Sequence, residues 1–391
     1  MKETAGCSML IKILKIVAMM ILVSAMVDCS KDLLTPPEPV VDDPLPQDTI
    51  PRLPEDELYN VLSDYYSRSN HCALGILGYI DVPGYKTWKI AMGYFDDSRI
   101  RRINTNDKFI LGSVSKTFTA TIILQLMEEG LINLDAPVIH YLPGRVDILE
   151  EEYDLSNITV RQLLNHESGI ADFIDIPAFT NQMIAQPANM INQFDILSYI
   201  IQYRDPLFAP GTSFEYSSTN YLLLGIMAEY IGGKPFYLLL KEKICLKIGL
   251  ESTHLHSYDP AEGEIAHGYY GTLDGSIIHG SYGWTAGMIV TTIKELGKFL
   301  RALASGELFQ DQSTFELMIT PGQYSTYGLG IFEVDFAGEN CYGHTGKAFG
   351  YRARMFFNPE KDAVLCIGIT TYGIQELPNE NITPALFDIL P

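Results

Sequence analysis

The stretch ILGSVSKTFTATIILQLMEEG (residues 110–130) holds Ser113 and Lys116, the only Ser-x-x-Lys spacing in the chain. Residues three apart share a helix face, so the hydroxyl and the amine can touch. A lysine beside a hydroxyl in a dry cleft can take its proton and make serine a nucleophile. The plainer alternative is a serine that caps a helix and a lysine that decorates its first turn. The tetrapeptide alone fits both.

Two further stretches bear on that choice. FAPGTSFEYSSTNYLLLG places Tyr216 in a loop after a Pro-Gly turn and just before an apolar helix. YGHTGKAFGYRARMFF places His344, Thr345 and Gly346 at a strand edge, with glycines that let a ligand approach the backbone. Tyr216 could instead be one of 23 tyrosines packed in a core. His166, in NHESG, reads as a brace for its loop, and His254-x-His256 as structural, because no carboxylate or histidine cluster accompanies it. We expect no metal and no cofactor. There is no Gly-x-Ser-x-Gly elbow, which argues against an α/β-hydrolase.

Taken together, the three stretches resemble the serine β-lactamase-like superfamily, in its branch of class C β-lactamases, D-alanyl-D-alanine carboxypeptidases, esterases and D-aminopeptidases. The resemblance runs from about residue 70 to 370 and rests on three ordered motifs. These are Ser113-x-x-Lys116, Tyr216-Ser217-Ser218 where the family usually has Tyr-x-Asn, and His344-Thr345-Gly346 where it has Lys- or His-Thr-Gly. EEGLINLDAPVIHYLP, VRQLLNHESGI and GWTAGMIVTTIKELGKFL also look like the family.

The resemblance implies that Ser113 Oγ attacks a carbonyl to give an acyl-enzyme, while Lys116 and Tyr216 share the proton transfers. Either a Tyr216 phenolate or a neutral Lys116 could serve as the base. The amides of Ser113 and Lys347 would form the oxyanion hole, and His344 and Thr345 would hold the far end of the substrate, often a carboxylate. If His344 is an imidazolium, that grip should weaken as pH rises; Arg352 and Arg354 are the alternative carriers of the carboxylate. Ser218 departs from the family asparagine, whose side chain both accepts and donates; Asn220 is two residues too far on to replace it. The expected activity is hydrolysis of D-amino-acid peptides, esters or β-lactams from a small-molecule or cell-wall peptide. The alternative is a non-turnover penicillin-binding or sensor protein that keeps the fold.

The elements that must position these groups are legible in outline. Apolar residues at helical spacing (Leu58, Val61, Leu62, Tyr65) open the folded part. CALGILGYIDV and TWKIAMGYF read as strands joined by a turn around PGYK, and DKFILGS as a third strand leading into the Ser113 helix. Helical patterns dominate from about residue 134 to 320, and strand-like runs return at YGLGIFEVDF, YRARMFFNP and AVLCIGITTY. The pattern predicts an α+β fold: an antiparallel sheet built from both chain ends (about 70–112 and 325–375), flanked by helices, with an inserted mainly helical region.

The 391 residues include 27 Lys plus Arg against 48 Asp plus Glu, a net charge of −21, which disfavours a nucleic-acid partner. Lys12 and Lys15 precede the apolar run Ile16 to Val27, too short to span a bilayer but suited to an export signal over residues 1–28. Cys29 follows as in a lipoprotein signal, although Asp28 departs from the small residue usual there. A simple cleaved signal and an uncleaved anchor are the alternatives, and all three put the domain outside the cytosol, in the cell envelope. Residues 29–54 are a tether, with 7 prolines between Thr35 and Pro54, and 55–391 form the hydrolase domain. Cys72, Cys245, Cys341 and Cys366 lack the close spacing of a metal cluster or a disulfide scaffold.

Overall fold

The computed structural model describes residues 50–69, 72–259, 263–336, 338–373 and 382–391. The expected signal, Cys29 and almost all of the tether lie outside the described residues. The first helix, α1 (Glu55–Arg68), buries Leu58, Leu62 and Tyr65 along one face. Its first turn is acidic and its last turn carries Arg68, the charge order a helix dipole favours.

Strands β1 (Ala73–Asp81) and β2 (Trp88–Gly93) follow, then the short β3 (Lys108–Ile110). The helical region adds β4 (His254–Leu255), the small hairpin β5 (Tyr269–Tyr270) and β6 (Leu273–Asp274), and β7 (Ile289–Thr292). Strands β8 (Phe332–Phe336), β9 (Glu339–Ala348), β10 (Tyr351–Asn358) and β11 (Ala363–Thr371) close the fold. The main sheet has the order β2-β1-β11-β10-β9-β8, antiparallel throughout, so both chain ends meet where β1 pairs with β11.

Side chains alternate across this sheet, as a two-residue period requires. Ile76, Ile80, Leu365 and Ile367 join the layer of α1 and the last helix, while Leu77, Tyr79, Val364 and Cys366 join the larger core. The third predicted strand does not extend the main sheet. It pairs with β7 in a separate sheet of order β3-β7-β4, which the sequence reading placed partly inside its helical region.

The helix after Ser113, α2 (Ser115–Glu128), is buried from Ser115 to Leu126. Its buried polar residues, Ser115, Lys116, Thr117, Thr119, Thr121 and Gln125, all have hydrogen-bond partners inside the fold, as buried polar groups require. Helices α3 (Pro177–Ala185) and α4 (Ser218–Gly232) follow, α5 (Ile293–Ala304) packs on β1, β10 and β11, and α6 (Ile382–Phe387) covers the terminal layer. Cys72, Cys245, Cys341 and Cys366 are buried, and no disulfide joins them among the described residues.

Candidate active site

Ser113 sits in a 3-10 turn, Gly112–Val114, that runs straight into α2. Gly112 has φ of +56°, and a Cβ there would lie 2.7 Å from the Lys347 nitrogen. Gly346, on β9, faces the same turn: its Cβ would lie 1.9 Å from the Leu111 carbonyl oxygen and 3.2 Å from the Ser113 nitrogen. Two glycines therefore let β9 and the turn approach backbone to backbone, which brings the Ser113 and Lys347 amides to the same junction.

Lys116 is fully buried. Its Nζ donates to the Ala286 carbonyl oxygen at 2.8 Å and lies 3.3 Å from both Ser113 Oγ and Ser218 Oγ. Burial lowers its pKa to about 7, and the charge of Asp172 opposes that shift. A carbonyl can only accept, whereas a hydroxyl can also donate. A neutral amine can thus donate to Ala286 and Ser218 and accept the Ser113 proton.

The loop before α4 delivers Tyr216. Its hydroxyl is buried without a hydrogen-bond partner, and its ring centroid lies 4.9 Å from Lys116 Nζ. Burial raises the phenol pKa; the nearby Ser113 hydroxyl opposes the shift without forming a hydrogen bond of ordinary geometry. The phenol is therefore protonated near neutrality, and of the two candidate bases only Lys116 can be unprotonated there. His166, at φ +62° and fully buried, braces this loop. Its carbonyl oxygen accepts from Glu215 N at 3.1 Å, and its Nδ1 accepts from Ser217 N at 3.2 Å. Asn220 is turned away from Lys116: its side chain meets His166 Nδ1 at 3.2 Å and accepts from Ser168 Oγ at 2.7 Å.

His344 is almost wholly buried, its Nε2 2.9 Å from Tyr327 Oη and its Nδ1 2.6 Å from the Thr345 carbonyl oxygen. Burial first, and the Lys116 charge second, bring its pKa down to about 3. The imidazolium that would attract a carboxylate is thus absent near neutral pH. Thr345 and Lys347, by contrast, are exposed and stand opposite Arg354 and Arg352 in the β9–β10 register, so these four side chains share one sheet face. They line a cleft of about 490 Å³ that also holds Ser113, Tyr216 and Tyr327.

Ser113, Tyr216, His344, Thr345, Gly346 and Lys347 thus line one cleft, with Lys116 and Ser218 buried beside Ser113. Three groups were missed from sequence: Asp172, which accepts from Ser218 N at 2.9 Å, the Ala286 carbonyl, and Tyr327. None has a residue type and spacing that announces a role; each acquires one only by proximity. His254 and His256 lie buried, and among the described residues no group of three or more His, Cys, Asp or Glu could hold a metal ion.

A D-stereospecific amidohydrolase from Streptomyces sp. superposes with a TM-score of 0.74 at 26% identity, covering 85% of this chain and 98% of that one. A D-amino acid amidase from Ochrobactrum anthropi SV3, complexed with L-phenylalanine, shares the fold with a TM-score of 0.71 at 24% identity, over 85% of this chain and 95% of its own. A D-aminopeptidase of Cereibacter sphaeroides is 26% identical over 275 residues, which is 68% of this chain and 51% of the relative. The chain spans about half the length of the curated relatives it matches first. The beta-lactamase family model matches residues 76–379, and the chain belongs to that family.

Proposed function

We propose that the protein is a hydrolase that works through an acyl-serine on D-amino-acid peptides, amides or esters. One observation carries the reading: a fully buried lysine, with a pKa of about 7, has its amine 3.3 Å from Ser113 Oγ. Lys116 takes the hydroxyl proton as Ser113 Oγ attacks the carbonyl. The Ser113 and Lys347 amides receive the developing oxyanion. Tyr216 gives its proton to the leaving nitrogen or oxygen and is reprotonated from Lys116, and water then hydrolyses the ester by the reverse path. The names of the D-aminopeptidase and D-stereospecific amidohydrolase relatives support D-amino-acid substrates. The leader, Cys29 and the proline-rich tether support export and a lipid anchor in the cell envelope.

The test is intact-mass spectrometry after a fluorophosphonate or penicillin probe. Wild-type protein and Ser115→Ala should gain one label and Ser113→Ala none. Label retained on Ser113→Ala sinks the assignment. Label on the wild type without turnover of any D-amino-acid amide or ester would instead favour the non-turnover binder.

A further inference from the structure

Ser113 stands between two recesses of opposite chemistry. Tyr216 lines the large cleft that carries Lys347, Arg352 and Arg354, and is absent from the second recess. The group that protonates the leaving atom must stand on the leaving-group side. The second recess, of about 80 Å³, therefore receives the acyl side of the substrate. Its walls come from the turn after Asp172 (Ile174), from α3 (Phe179, Met183) and from Ile278, Tyr282 and Met288.

No charged side chain other than Lys347 reaches it, and its polar groups are engaged. The Thr180 hydroxyl donates to the Ile174 carbonyl oxygen at 3.1 Å, and the Tyr282 hydroxyl to the Gln186 carbonyl oxygen at 3.1 Å. Lys347 is exposed and also lines the large cleft, so away from it a polar side chain entering this pocket would shed water and find no partner, whereas an apolar one gains by leaving water. The wall is also fixed to the catalytic centre, because Asp172 accepts from Ile174 N at 3.0 Å with one oxygen and from Ser218 N with the other.

We propose that this pocket selects substrates whose acyl residue carries one apolar side chain, branched aliphatic or aromatic, with Ile174, Phe179, Met183 and Met288 as the residues that set the preference. The inference rests on the acyl-serine reading above and adds the chemical class of the residue bound.

The experiment compares kcat/KM for the p-nitroanilides of D-leucine, D-phenylalanine, D-lysine and D-glutamate, with p-nitrophenyl acetate as an ester that has no side chain. The apolar anilides should exceed the charged ones by roughly ten- to two-hundredfold, the range a hydrophobic pocket provides. Thr180→Phe, which fills the pocket, should cut the ratio of kcat/KM for the apolar anilides to that for the acetate by about tenfold or more. Ile174 is 46% exposed, so Ile174→Lys should fold and move the preference toward D-glutamate. Acetate turnover without a preference for apolar anilides overturns the pocket assignment alone. Absence of acetate turnover by the wild type itself sinks the hydrolase reading, and this inference with it.

Discussion

Asp172 and Ser218 are joined by a 2.9 Å hydrogen bond from the Ser218 amide to the carboxylate, while the Ser218 hydroxyl lies 3.3 Å from Lys116 Nζ. The carboxylate thereby positions the residue that replaces the family asparagine, and its charge is felt by the buried lysine. Lys116 is otherwise faced by His166, Tyr216, Tyr221 and His344, of which the two imidazoles are held neutral by burial.

Because the Asp172 charge raises the Lys116 pKa, Asp172→Asn should lower it. The acid limb of kcat/KM on a neutral ester should then move to lower pH, with Ser113 still labelled. An unmoved limb would leave Asp172 a purely structural role. Asp172→Ala also strands the part-buried Ser218 amide, and should cost on the order of 1–3 kcal/mol of stability, read by denaturant unfolding.

The wild-type profile has a defined sign. A lysine whose pKa burial lowers to about 7 becomes a base as pH rises through that value, so acylation should accelerate across it. Lys116→Arg keeps the cation and loses the base, and should slow acylation by about 10²–10⁴. Stopped-flow labelling against pH reads both effects, and a flat wild-type profile through neutrality would exclude Lys116 as the titrating base.

His344 and Arg354 make opposed predictions for carboxylate substrates. With the His344 ring neutral from burial, the ratio of kcat/KM for a peptide acid to that for its amide should stay constant between about pH 5.5 and 8.5. Arg354→Gln should lower that ratio roughly ten- to hundredfold, the worth of one or two charge-assisted hydrogen bonds. A ratio that falls with rising pH in the wild type would restore the charged-histidine role.

Gly346→Ala tests the backbone approach. The added methyl would meet the Leu111 carbonyl oxygen at 1.9 Å and must push β9 off the Ser113 turn. Losing one oxyanion donor costs about 10²–10³ in kcat, so the variant should lose that much while keeping its circular dichroism spectrum. Near-normal kcat would place the oxyanion hole elsewhere.

Membrane attachment is tested by fractionating cells that express the full chain. Wild-type protein should begin at Cys29 and sediment with membranes, and Cys29→Ala should stay unprocessed or appear in the soluble envelope fraction. Wholly soluble wild-type protein would rule out the lipid anchor.

By itself the sequence determined the sheet that joins the chain ends, because the runs at Ala73–Asp81, Tyr351–Asn358 and Ala363–Thr371 carry strand composition between clear turn signals. It also implied, through the resemblance of its three ordered motifs to the superfamily, that they share a site, and motif order is a one-dimensional fact. It could not assign Lys108–Ile110 to a separate sheet, because strand partners are long-range choices made by packing. Nor could it say that burial lowers the Lys116 pKa to about 7, that burial holds His344 neutral, or that Asp172 lies against the Ser218 amide. Those properties come from desolvation and from neighbours far away along the chain, and both exist only once the tertiary structure has closed around the amine.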